Sequence, residues 1–353
     1  MTDGSTWLYC VGGGASSLML AAALSKYPVL PGPLRIAERK ANLGQAQSFG
    51  FWVDRPHSLD HLIKARWSRW QFSRQNTEST VHIGERQSYA LIEGADFFDW
   101  AALCIESHPQ MSLHLNVEIT APPKATHVVD SRPPSLSEFK TYQTFAGIEI
   151  EETHPPDPSM VDLMTCMHCD ADSLLFLYRL PKPNGCTLIE WTAFGGRPFD
   201  MEKLVRMTQE SAPSGRIVRE ERGIIPMGVH QLSSWGTPIG ARGQMTRAAS
   251  GYGFKAMWDW AERAAKQLIE HNEMPSHPIY PAWVGWMDQC LIQIIQSAPH
   301  ALAGIFSTLA QRLSGDQFAD FMMKPTARNA LQIMQAAPKR PFVYSAVGCA
   351  RWI

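Results

Sequence analysis

A strand, a glycine-rich turn, an apolar helix and a second strand open the chain, alternating strands fill its middle, and an apolar helical stretch closes it. These three observations predict an α/β protein with a Rossmann-like dinucleotide-binding domain, an inserted antiparallel β-sheet substrate domain and a C-terminal helical region. The nucleotide-binding domain is expected to run over residues 1–141 and to return over 227–275. The antiparallel layer takes 142–226 and the helices 276–353.

The opening unit is the most specific. TWLYCV (6–11) reads as a strand, GGGASS followed by LMLAAALSK as a glycine turn entering a helix, and LRIAE (34–38) as the next strand. Gly12-x-Gly14 lets the backbone approach a pyrophosphate, whose charge the helix N-terminus stabilises. The third glycine position is Ser17, small enough for close packing of the helix. Glu38 ends the second strand where an acid takes ribose hydroxyls. The competing reading is a structural turn with a surface glutamate.

FGFWVD (49–54) reads as a strand, ADFFDWAALCIESH (95–108) as an amphipathic helix, and THVVDSR (126–132) as a sheet strand whose Asp130 faces the ligand edge. YQTFAGIEIEE (142–152) alternates as a half-solvated strand does. LLFLYRLP and CTLIEWTAF form a hairpin across Lys182-Pro183-Asn184-Gly185. The second of these strands carries one carboxylate, Glu190, in an apolar run. By pattern alone it points outward from an edge strand. Gly240, Gly243 and Gly251 free the backbone near a ligand, and a helix is expected from about Ser250, with its N-terminus able to hold an anion. Residues 280–338 read as helices divided at Pro299, Gly315 and Pro325. Their aromatic and methionine stripe is ordinary core or, alternatively, a lid or membrane-surface face.

Composition narrows the function classes. Charged residues make up 18% of the chain against a usual figure of roughly 25%, which suits a greasy ligand. The net charge of −1 leaves no electrostatic footprint for nucleic acid. No cleavable leader or membrane-spanning run is read, so a cytoplasmic protein is expected. The seven cysteines are scattered. Cys166-Met-His-Cys169 has metal-knuckle spacing without a second pair, so no metal site is expected.

In this order, the motifs resemble the lycopene cyclase family of carotenoid biosynthesis, flavoproteins of the FAD-dependent monooxygenase and reductase class. VGGGASSLMLAAAL resembles the family's FAD-phosphate turn, SFGFWVD its stretch ending in WVD, and VVDSR its strand-end Asp motif. YQTFAGIEIEETHPPDPSMVDLM, LLFLYRLP, LIEWT, REERGIIPMG and IGARGQMTRAASGYGF are similar to the segments that follow, over about residues 7–340.

The resemblance implies an FAD-binding domain and a redox-neutral cyclisation. Reduced FAD, regenerated by NAD(P)H, is not consumed. The chain end of a polyene or prenylated small molecule gains a proton at a double bond, closes through a carbocation and loses a proton elsewhere. The family's acid falls on Glu190, and burial in an apolar strand raises a carboxyl pKa as a general acid requires. Gly12, Gly14, Ser17 and Glu38 fall to the ADP moiety and Asp130 to the nucleotide edge. Gly240, Gly243, Gly251 and the backbone at Gln244 and Met245 fall to the isoalloxazine ring. Trp52, Tyr178, Trp191 and Tyr252 are the expected cation-facing aromatics. A membrane-dissolved substrate also implies peripheral membrane contact.

Three departures stand out. Arg247-Ala248 replaces the family's His-Pro, Thr165 replaces an Asp with Asp162 nearby, and Trp191 replaces the second acid after Glu190, which removes the paired carboxylates from that motif. An oxygen- and NAD(P)H-consuming monooxygenase or other oxidoreductase on a hydrophobic molecule, or a carrier without chemistry, are the alternatives.

Overall fold

The computed structural model describes residues 6–44, 47–54, 56–229, 233–275 and 279–349. The expected lack of a leader concerns in part residues 1–5, which lie outside these ranges, as does the boundary at 276. The chain runs β1 (Leu8–Val11), α1 (Ala15–Leu24), β2 (Leu34–Glu38), β3 (Ser48–Asp54), β4 (Ala65–Trp67), β5 (Arg69–Arg74), β6 (Thr80–Ile83), β7 (Gln87–Glu93), α2 (Gly94–Glu106), β8 (Met111–Leu115) and β9 (His127–Asp130). Then follow β10 (Tyr142–Glu152), β11 (Met160–Asp170), β12 (Ser173–Pro181), β13 (Cys186–Gly195), α3 (Met201–Glu210), β14 (Gly215–Pro226), β15 (Thr237–Pro238) and α4 (Phe254–His271). The last part is helical: α5 (Ala282–Ser297), α6 (Leu302–Arg312), α7 (Gly315–Met323), α8 (Ala327–Ala336) and α9 (Lys339–Cys349).

The strands sort into three sheets. A parallel sheet of order β15-β9-β1-β2-β8 carries the predicted nucleotide-binding unit, and α1 lies against it, buried along its whole length except Ala15. That explains why α1 is apolar on every side: the sheet covers one side, and α2 and α4 share its core cluster. A seven-stranded sheet of order β14-β10-β13-β12-β11-β5-β6 forms the second layer, and β3-β7-β4 form a small third sheet.

The seven-stranded sheet takes in β5 and β6 from before residue 142, with β5 joined to β11 in parallel. β6 is too short, and β5 is short with an arginine at each end, for periodicity to reveal them. Glu190 lies on β13, between β10 and β12. It is therefore on an interior strand, not the edge that its pattern alone suggests.

Alternation on β13 sends Leu188 and Phe194 to one face and Ile189, Trp191 and Ala193 to the other. The first face packs on a cluster with Trp52, Tyr89, α5, α6 and α7. The second is covered by α3 through Leu204. The helices break at Pro299, Ser314-Gly315 and Pro325, as the sequence suggests, and Ser314 and Thr326 cap the helices they start. Among the described residues no single helix is long and apolar enough to cross a membrane. α5 and the helical run 299–312 after it form a pair bent by 111°.

Candidate active site

At the nucleotide end, Gly12 has φ +97°, and a Cβ there would lie 2.7 Å from Ser131 Oγ. Ser131 is fixed in turn: its hydroxyl bonds the Gly12 carbonyl at 2.9 Å and receives the Ser17 hydroxyl at 2.9 Å. Gly12→Ala is expected to cost about 1–3 kcal/mol, since it combines left-handed backbone with this contact. Urea denaturation measures that loss, and an unchanged midpoint would reject it. Ser17 is fully buried and ties α1 to the segment after β9, which is the packing role expected of it.

Glu38 sits at the turn, where its carboxylate accepts from Gly13 N at 2.8 Å and Lys40 N at 3.0 Å. The N-terminus of α1 begins at Gly14 with no side-chain cap and no acid in its first turn. A side chain at Gly14 would meet nothing within about 3.9 Å. Free backbone N–H groups and open space there suit a pyrophosphate.

Asp130 corrects the expectation of a carboxylate offered to a ligand. It is fully buried and forked by Arg132 (Nε 2.9 Å, Nη2 2.7 Å), with Trp235 N at 3.2 Å and Arg242 Nε at 3.6 Å. Burial by itself would raise its pKa, but the bonds from Arg132 and Trp235 outweigh it and hold the carboxyl below its ordinary range. Its task is to pin the return segment to β9.

The 240–245 loop differs in the same way. Met245 N bonds the Gly240 carbonyl at 3.0 Å, Gln244 N the Ala241 carbonyl at 3.1 Å and Gly243 N the Ile239 carbonyl at 3.2 Å. Met245 itself is fully buried and its sulfur takes Gly240 N at 3.2 Å. These amides are committed within the loop and are not open donors. Gly240, with φ +64°, packs on α1: a Cβ there would sit 2.6 Å from Ser16 Oγ.

The helix expected from Ser250 begins at Phe254, after Gly253. Gly251, with φ +72°, lies in the left-handed region and cannot join a right-handed helix. Residues 247–252 close instead as a turn, with Arg247 N bonded to the Tyr252 carbonyl at 2.7 Å. Beside this turn two buried polar atoms have no partner, Ser250 Oγ and Gln143 Oε1. A Cβ on Gly251 would lie 3.2 Å from the latter. Buried polar atoms ordinarily find partners, and a polar ring edge reaching this turn would supply them. The chain thus fits a dinucleotide at both ends, the phosphates at Gly14 and a heteroaromatic ring near Gln143, Ser250 and Gly251.

The acidic centre lies on the buried face of the seven-stranded sheet. Register aligns Tyr178, Glu190, Gly147 and Glu221 in one row across β12, β13, β10 and β14. Glu190 is half-buried. Its Oε1 accepts from Thr192 Oγ1 at 2.7 Å. Burial, and then the neighbouring Glu221, push its pKa well above the ordinary carboxyl value.

Around it stand three tyrosines. The hydroxyls of Tyr89 and Tyr252 are 3.4 Å apart, and Tyr178 lines the same cavity as Tyr252. Burial raises all three phenols, those of Tyr89 and Tyr178 far above their usual value. They stay neutral donors. Tyr178, Tyr252 and Trp52 also line an apolar cavity of about 120 Å³ between the sheet and the helices, walled on the far side by Leu291, Phe306, Phe321 and Ile333. That is smaller than the roughly 300 Å³ of ordinary ligand pockets.

Trp191 does not belong to this group. It points to the opposite face, where its Nε1 donates to Ser211 Oγ at 2.9 Å and its ring meets His168 edge-on at 5.7 Å. The carboxylate pair that Trp191 seemed to remove is present all the same. Its second member is Glu221, on a different strand.

Arg247 likewise does not put a free cation near the ring turn. It forks onto Asp288 at 2.7 and 3.0 Å, donates to the Phe321 carbonyl at 2.9 Å and lies over the Phe321 ring at 4.8 Å. Of the other departures, Thr165 bonds the Leu177 carbonyl at 3.3 Å and Asp162 accepts from Gln71 at 2.5 Å. Sequence reasoning missed Glu221, Gln143, Tyr89 and the ion network around Arg219. Of these, Glu221 and Arg219 had a local signal only in REERGIIPMG, which entered through the family resemblance and not as a site.

A family model described as lycopene cyclase protein matches residues 8–289. The chain belongs to the lycopene cyclase family. Among solved structures the fold recurs in a flavoprotein/dehydrogenase from Cytophaga hutchinsonii, with TM-score 0.57 and 11% identity over 93% of this chain and 98% of that one. It recurs in a flavin-dependent halogenase from Xanthomonas campestris, with TM-score 0.55 and 9% identity over 99% and 96%. A third is p-nitrophenol 4-monooxygenase from Pseudomonas putida, with TM-score 0.54 and 11% identity over 98% and 97%. No curated protein matches the chain in sequence. As a lycopene cyclase family member with this flavoprotein fold, the chain departs from its family's motif at Arg247. The buried Asp288 supplies the charge that makes the departure tolerable.

Proposed function

We propose that the protein is an FAD-dependent cyclase of the lycopene cyclase type, closing a ring at the end of a linear polyene or prenyl chain by protonation and deprotonation. The observation that carries this reading is Glu190, a carboxyl whose pKa is pushed well up and whose strand partner Tyr178 lines an aromatic, mostly apolar cavity. A general acid must hold its proton at working pH, and an alkene needs a dry site for the cation to survive. The ring faces of Trp52, Tyr178 and Tyr252 stabilise positive charge without donating to it a competing nucleophile.

Gly12, Gly14 and Glu38 would hold the ADP moiety, and Gln143, Ser250 and Gly251 the ring edge. FAD, when bound and reduced by NAD(P)H, would supply an electron-rich surface near the cation. The chain's own residues perform the rest: Glu190 delivers the proton and, as the carboxylate left behind, takes one back from the cation, Thr192 orients its carboxyl through Oε1, and the apolar helical wall limits water. The substrate's solubility adds peripheral membrane contact to this reading.

Anaerobic incubation of lycopene with chemically reduced FAD tests it. Cyclic product is expected with no reductant consumed beyond the initial reduction. Reductant loss in proportion to product, or a strict oxygen requirement, would assign the protein to the monooxygenase class. A purified protein without a yellow chromophore, unable to take up FAD, would reject both.

A further inference from the structure

Neighbouring strands lie about 4.8 Å apart, so residues separated by a whole strand are ordinarily kept from contact by the side chain between them. Between Glu190 and Glu221 that position is Gly147. A Cβ there would sit 3.2 Å from Glu190 Cβ and 3.1 Å from Glu221 Cγ, so the two glutamates already fill the lane that the glycine vacates. Their side chains therefore stand next to each other over it. Two ionised carboxylates side by side repel and can only accept, so a proton held between them is what lets them share this lane.

The remaining contacts are unequal. Glu190 has the neutral hydroxyl of Thr192 at 2.7 Å. Glu221 has the Arg219 guanidinium at 2.6 Å and the Ser48 hydroxyl at 3.2 Å. Arg219 also reaches Glu149 at 3.1 Å and Glu93 at 3.4 Å, while Lys182 bonds Glu149 and, at 2.6 Å, Glu93. Two cations, Lys182 and Arg219, thus face four carboxyls, Glu93, Glu149, Glu190 and Glu221. The tyrosines 89, 178 and 252 add no charge.

We infer that Glu221 is a positioning residue for the acid: it shares one proton with Glu190 across Gly147, with Arg219 fixing the charge on Glu221 and the proton on Glu190. The assignment rests on the reading of Glu190 as the proton donor. It explains why a glycine stands mid-strand, where it weakens a sheet. It also gives the site a second carboxyl that no neighbour in sequence provides.

Infrared difference spectroscopy tests the pair without substrate. The carbonyl band of a protonated carboxyl is followed as pH rises, and Glu190→Gln identifies it by removing it. Glu221→Gln keeps a hydrogen-bonding side chain but removes the adjacent charge, so the midpoint at which the band disappears is expected to fall by about one pH unit or more. Gly147→Ala, which places a methyl between the two side chains, is expected to lower the midpoint as well, and it stands as the test if Glu221→Gln does not fold. An unmoved midpoint in the folded variants overturns the pair. In the cyclisation assay the alkaline limb of kcat is expected to move down with the band while activity at low pH is kept. A band that shifts in a protein that makes no ring upholds the pair and sinks the cyclase reading. Ring formation with an unmoved band sinks the pair alone.

Discussion

Replacing Glu190 by Gln is expected to abolish ring closure while making the protein more stable above mildly acidic pH. The first effect follows from the proton inventory of the site. Tyr89, Tyr178 and Tyr252 hold their protons too tightly to protonate an alkene, so losing the carboxyl removes the donor and costs about 10²–10⁴-fold or more in rate.

The second effect follows from linkage. Near the ordinary carboxyl value of 4.5 and below, folded and unfolded chains both carry the proton. Above it the unfolded chain releases the proton and the folded chain keeps it, so stability falls with rising pH. The slope reaches about 1.4 kcal/mol per pH unit until the folded carboxyl ionises too. Gln has no such term. Urea denaturation of parent and variant is therefore expected to coincide at acidic pH and to diverge as pH rises above the ordinary carboxyl value, the variant being the more stable. Parallel curves across that range would show that Glu190 ionises as an exposed carboxyl does.

Arg247→Met is expected to cost about 3–5 kcal/mol, because it leaves Asp288 charged, buried and without its partner. Both side chains of the pair are almost completely enclosed, 4% and 6% exposed. Burial alone would weaken the Arg247 cation, and Asp288 more than restores it. Asp288→Leu is expected to cost as much for the converse reason. The double variant should recover most of the loss, since apolar side chains of similar volume suit a site bounded by Phe321, Met287 and Leu291. Denaturant midpoints of the three variants check this. A single variant within about 1 kcal/mol of the parent would place the pair in the class of solvent-screened bridges.

What could be read from the chain was local. The turn at Gly12, the strand carrying Glu38 and the hairpin around Lys182–Gly185 announce themselves within a dozen residues, because strand periodicity and turn chemistry act at that range. Glu221 does not announce itself. Its meaning depends on the register of β14 against β10 and of β10 against β13, and its surroundings, REER, read as a solvated edge. Trp191 and Asp130 failed differently: residue type was right for a site, but alternation turned one to the far face and an arginine fork closed the other. The helix start slipped from Ser250 to Phe254 because a glycine's backbone hand is not visible in its letter.

The sheet order also has a meaning for synthesis. β15, the partner that completes the β9 edge of the parallel sheet, leaves the ribosome only after the entire seven-stranded layer, and that layer in turn needs β5 and β6 from before β9. The parallel sheet cannot be finished until that layer has been made. The nascent chain must carry an open β9 edge from Asp130 until Thr237 is made, a surface that recruits chaperones or other strands. A fragment ending at Pro226 would expose that edge permanently, which makes this chain a poor candidate for dissection into separately expressed domains.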